Sequence, residues 1–173
     1  MKKLISTIAI LVFAVIFSND MNAQKFRGLD KSPADVVLHP TRGADKVLKI
    51  VYSRPQLKGR SLDKLAPNGK VWRTGANEAT QITFYKNVTF GGESVKAGTY
   101  SLFTIPGEKE WTIILNSATN DWGAFSYNKD KDVARVKATV SKSENTIEAF
   151  SITVQGGKLY LGWANTVVGV PVE

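Results

Sequence analysis

Cysteine is absent from the whole chain. Its absence excludes disulfides, thiol nucleophiles, thiolate metal sites and a lipid anchor on a cysteine. Histidine is nearly absent, since His39 is the only one. A multi-histidine metal centre is therefore excluded, and a Ser-His-Asp triad is possible only with His39 as base. His39 precedes Pro40, and no Gly-x-Ser-x-Gly elbow accompanies it, so we read it as a surface histidine. Blocks of five like charges are also missing. The formal net charge is +8, yet Lys46, Lys49, Lys86, Lys96, Lys109, Lys129, Lys131, Lys137, Lys142 and Lys158 are scattered. Such scatter belongs to a solvated surface, and without a nucleic-acid motif it argues against a nucleic-acid partner.

Long apolar runs are missing too, except at the start. Met1, Lys2 and Lys3 are followed by an apolar stretch from residue 4 to 17, broken only by Ser6 and Thr7. A polar stretch and then Ala23-Gln24 come next. This is the basic, apolar and small-residue order of a secretory signal peptide, and the apolar run is shorter than the roughly 20 residues of a spanning helix. We expect a signal peptide over residues 1–23, cleaved near Ala23-Gln24, and a periplasmic or secreted product with no membrane span. About 150 residues remain, enough for one domain with its own core.

Residues 24–33 read as a lead-in and residues 34–173 as a single β-rich domain. Alternation and β-branched or aromatic enrichment predict strands at 47–52, 81–86, 99–105, 111–116, 133–140, 147–154 and 159–163. Leu159, Leu161 and Trp163 fall on one face of the last of these, as in a half-buried antiparallel strand. Gly91-Gly92 and Gly156-Gly157 are hairpin turns, and residues 141–146, with Asn145, read as a polar turn. A short helix is expected at 62–65. The expected fold is all-β, a single antiparallel β-sandwich of jelly-roll or Ig-like type.

Three stretches carry chemistry beyond strand and turn. Residues 52–60 bring Arg54, Lys58 and Arg60 into one loop. Residues 72–80 pack Trp72, Arg73, Thr74, Asn77, Glu78 and Thr80 around Gly75. Arg73 can fork onto a carboxylate or phosphate, and Asn77 both donates and accepts. The plainer alternative pairs Arg73 and Glu78 with each other, or Arg73 with Asp132 and Glu78 with Arg135, to fasten a loop to the sheet. Residues 122–135 hold Trp122 and the alternating oxygens of Asn128, Asp130 and Asp132. Those three resemble part of a calcium loop, but Lys129 and Lys131 interleave and no closing glutamate follows, so a polar turn is the better reading. Glu78 with Asp132 or Asp121 would be the carboxylate pair of a hydrolase. Of the four tryptophans, Trp111 and Trp163 lie in predicted strands, while Trp72 and Trp122 flank loops and are the stacking candidates.

The segments at 52–60, 72–80, 97–107 and 122–135 together resemble the DUF2911 family, exported bacterial proteins of the Bacteroidetes type, over about residues 32–163. The Trp-Arg-Thr-Gly-Ala-Asn-Glu-Ala-Thr run from Trp72 to Thr80 is its most specific part. Leu62-Asp63 and Asn68 depart from the pattern, where an aromatic-glycine pair and a tyrosine are expected. The resemblance implies export and a β-rich domain, with no established activity and no catalytic residues to carry over.

The leading functional expectation is a non-enzymatic module that binds a small polar or anionic ligand, a glycan or carboxylate. Arg54, Arg60, Trp72, Arg73, Asn77, Glu78 and Trp122 are its candidate contacts, with no metal or cofactor. The alternatives are a hydrolase using Glu78 or Asp132 as general acid or base, and a structural or interaction protein of the envelope.

Overall fold

The computed structural model describes residues 26–173. The expected signal peptide, residues 1–23, lies outside the described residues. Residues 26–33 have no regular secondary structure. Nine strands follow: β1 (Ala34–His39), β2 (Leu48–Ser53), β3 (Thr80–Phe84), β4 (Val88–Phe90), β5 (Glu93–Val95), β6 (Gly98–Ile105), β7 (Glu110–Asn116), β8 (Asp132–Gln155) and β9 (Lys158–Pro171). One turn of helix, α1 (Leu62–Leu65), is capped by the Ser61 hydroxyl, which accepts from the Lys64 amide. Among the described residues no helix is long and apolar enough to cross a membrane.

The strands form one antiparallel seven-stranded sheet in the order β1-β2-β3-β6-β7-β8-β9 and a two-stranded sheet of β4 and β5. The fold is thus all-β and antiparallel, with two very unequal layers. The large sheet curls because β8 and β9 are long and kinked. Their register slips between Lys142 and Ile147, and again between Ile147 and Ser151. Beyond the kink β8 returns to the chain leaving β2: Gln56 bridges Ala149, and the Leu57 amide donates to the Glu148 carbonyl. At the other end Phe90 of β4 bridges Val172, tying the small sheet to the end of β9.

The kink corrects one expectation. Residues 141–146 are not a turn between two strands; they are the exposed middle of β8. Polar residues with no core to face look the same in sequence whether the chain bends or reverses. The Gly91-Gly92 and Gly156-Gly157 hairpins and the helix at 62–65 stand where expected.

Alternation sends one side of every strand into the concave core. Leu48 and Ile50, Ile82 and Phe84, Leu102, Ile113 and Leu115, Val136, Phe150 and Ile152, and Leu159, Leu161 and Trp163 pack into one cluster. Each large side chain fully buried there contributes roughly 1.5–3 kcal/mol. The convex side of β6 and β7 is covered as well. Phe103 and Ile114 are buried there with Ala79, against Ala124 and Tyr127 of the loop between β7 and β8. That loop, residues 117–131, is the roof under which the candidate site forms.

Candidate functional site

The segment from Trp72 to Thr80 is a wide bulge between α1 and β3. Trp72 pairs with Thr104 as if β3 continued past its start, so its indole enters the core. There it stacks on Trp163, with centroids 5.4 Å apart and 18° between planes, and meets Phe150 and Trp111 edge-on. Its Nε1–H donates to the Gly75 carbonyl at 3.1 Å. At 6% exposure, Trp72 has no free face for a ligand; packing accounts for it. Thr74 takes a left-handed backbone, φ 55°, and is fully buried. Gly75 is required by close approach, since a Cβ there would lie 3.0 Å from the Ser53 carbonyl oxygen.

The bulge leaves as a short ladder with the roof loop. The Ala79 amide donates to Asp121 O at 2.9 Å, and the Gly123 amide donates to Asn77 O at 3.0 Å. Glu78 and Trp122 are the residues enclosed by these two bonds. In such a pair both side chains project to the same side, with Cβ atoms about 4.5–5.5 Å apart. Here that side is solvent: Glu78 is exposed, and Trp122 is 61% exposed. The Ala79 and Asp121 side chains project oppositely, and Ala79 is buried against Phe103 and Ile114 of the sheet.

Arg73 lies on that inner side. A Cβ on Gly123 would sit 3.8 Å from Arg73 Nη1 and 2.9 Å from the Phe125 ring, and Gly123 has φ +72°. Arg73 is half-buried, and its Nε is covered without an acceptor. Burial alone lowers its pKa. Asp121 Oδ1 accepts from the Ser126 hydroxyl at 2.7 Å, while its Oδ2 is covered and has no donor. Among the described residues the ion pairs are Arg54–Asp35, Arg135–Asp132 and Lys137–Glu110, so Arg73, Asp121 and Glu78 take part in none. The expected pairing of Arg73 with Glu78 or Asp132 does not form.

The other candidates are spent on structure. Arg54 Nε donates to Phe150 O at 3.1 Å, its Nη2 donates to Ser151 Oγ at 2.8 Å, and Nη1 reaches Asp35. It clamps the end of β2 to the returning half of β8. Arg60 donates to the carbonyls of Leu57 and Gln56 and so closes its own loop. Asn77 holds the lead-in by donating to Asp30 Oδ1 at 3.3 Å. Asp132 is saturated. Its Oδ2 accepts from Tyr127 at 2.7 Å and from Arg135 at 2.6 Å, and its Oδ1 accepts from Asn116 Nδ2 at 2.7 Å. Burial first, then the bond to Asp132, pushes the Tyr127 hydroxyl up to about 12. The bond to Asp132 raises Arg135.

Asn128 caps a 3-10 turn at Lys129–Lys131 by accepting from the Asp130 amide, as a polar turn would. Among the described residues no group of three or more acidic or histidine side chains is placed to hold a metal. His39 ends β1, half-buried and opposite Leu48, with no serine or carboxylate bonded to it among those residues.

Sequence reasoning missed the part played by Tyr127 and by the convex face of β3. Gln81, two residues beyond Ala79, faces outward and donates to Asn120 of the roof at 2.9 Å. The alternation of β3 carried that signal. Asp121 was named only as a partner for Glu78, and its covered oxygen emerges from the ladder geometry.

Fold and site together define an all-β domain with an unsatisfied polar cluster beneath a convex-face loop. The chain belongs to the DUF2911 family of proteins of unknown function, whose model matches residues 32–172. No curated protein and no solved structure matches it.

Proposed function

We propose that this protein is an exported, non-enzymatic binding module for a small hydroxylated anion, an acidic sugar or hydroxy acid. The observation that carries the reading is the half-buried Arg73 guanidinium, which has no counter-anion among the described residues. Covered polar atoms in native proteins are nearly always paired, and an unpaired charge is costlier still. A carboxylate on Arg73 would supply the missing acceptor in the fork geometry that guanidinium favours. Asp121 Oδ2 lies on the same side of the ladder and lacks a donor, which a ligand hydroxyl would provide. Both atoms are covered, so entry requires residues 121–126 to give way. Export rests on the basic, apolar and small-residue order at the N-terminus.

A thermal-shift panel tests the reading. D-Glucuronate carries both groups, acetate only the carboxylate and D-glucose only hydroxyls. At tenfold excess over Kd, glucuronate is expected to add about 1.4 kcal/mol, a rise of a few degrees in Tm. Acetate is expected to give less and glucose little. Equal shifts from glucose and glucuronate would remove Arg73 from the role.

A further inference from the structure

Beside the same ladder the convex face of β1 to β3 opens into a cleft of about 200 Å³. Ala34, Val51 and Ala79 form its apolar walls, and Ser53, Gln81 and Glu78 stand at its polar edge. Its surface is mostly apolar, and no basic residue lines it. Glu78 is its one charged group, exposed and free of any ion pair among the described residues. The Trp122 indole projects beside that carboxylate, 61% exposed, because the two residues form a non-hydrogen-bonded cross-strand pair.

We propose that this cleft is a second binding site, for a short alkylammonium ion. The charge selects the sign of the ligand. In a chain of net charge +8, Glu78 puts an unpaired carboxylate at the mouth of an apolar cleft. The indole adds to the selection, since an aromatic face attracts an organic cation and does nothing comparable for an anion. The size selects the length: pockets for drug-sized ligands hold roughly 300–1,000 Å³, so a smaller cleft takes a chain of a few carbons. The ammonium sits between Glu78 and Trp122, and the alkyl group lies on Val51 and Ala34. Arg73 does not line this cleft and carries the opposite charge to Glu78, so the two sites select ligands of opposite sign.

The test is a titration of the full chain with n-butylammonium, followed by NMR at the Trp122 indole N–H and the Val51 methyls. 1-Butanol and butyrate serve as controls at matched ionic strength. Saturable shifts at both positions are expected with n-butylammonium, with binding about fivefold weaker for 1-butanol and weaker still for butyrate. Glu78→Gln, an isosteric change at an exposed position, is expected to weaken n-butylammonium about fivefold, and Trp122→Ala about threefold. Equal affinity for 1-butanol, or wild-type affinity in both variants, would overturn the proposal.

Discussion

The roof loop over the convex face has two unlike ends. At one end Asp132 gathers Asn116, Tyr127 and Arg135, and each of its oxygens has a donor. At the other end Arg73 and Asp121 each keep a covered atom without a partner. The residue types are similar, a carboxylate with a guanidinium and hydroxyls nearby, but the consequences differ. A saturated cluster rigidifies and resists replacement, because removing one member orphans the rest. An unsatisfied cluster contributes little to the fold and is the place where a ligand gains most.

The largest effect is expected at the saturated end. Asp132→Ala removes the acceptor shared by Asn116, Tyr127 and Arg135 and should cost about 3 kcal/mol, or about 9 °C in Tm, by thermal denaturation. Tyr127→Phe removes two bonds, the one donated to Asp132 and the one accepted from Arg135, and should cost about 2 kcal/mol in urea unfolding. Its pH dependence sharpens the point. The folded pKa of Tyr127, about 12, lies above the ordinary 10.0, so its contribution is present below pH 10 and lost as pH rises toward 12. The stability gap between wild type and Tyr127→Phe should therefore close across that window.

At the unsatisfied end Arg73→Met should leave stability unchanged or raise it by about 0.5 kcal/mol, because an uncompensated charge is replaced by an apolar chain of similar length. Trp122→Ala should change stability least, within about 0.5 kcal/mol. A loss of 2 kcal/mol or more in Arg73→Met, on the scale of removing a buried partner, would erase the contrast between the two ends.

Much of the fold was legible because alternation reports which side of a strand is wet. Leu159, Leu161 and Trp163 were placed on one face, and all three are in the core. The kink of β8 was not legible, since Ser141 to Glu148 are mostly exposed whether the strand bends or turns back. The site was legible only in part. The bulge from Trp72 to Thr80 stood out by its density of polar groups, and Arg73 and Glu78 remain open there. Trp72 and Trp122 both flank loops, and only the Trp72–Thr104 bridge sends the former inward. Arg54 looked as available as Arg73. Its partners, Phe150 and Ser151, lie nearly a hundred residues along the chain, a distance that local pattern does not report.

The central claim is that Arg73 is kept for a ligand while Arg54 is kept for the fold. Calorimetric titration of wild type, Arg54→Met and Arg73→Met with D-glucuronate tests it most directly. The account predicts binding by wild type and by folded Arg54→Met, and none by Arg73→Met. Wild-type affinity in Arg73→Met would contradict it.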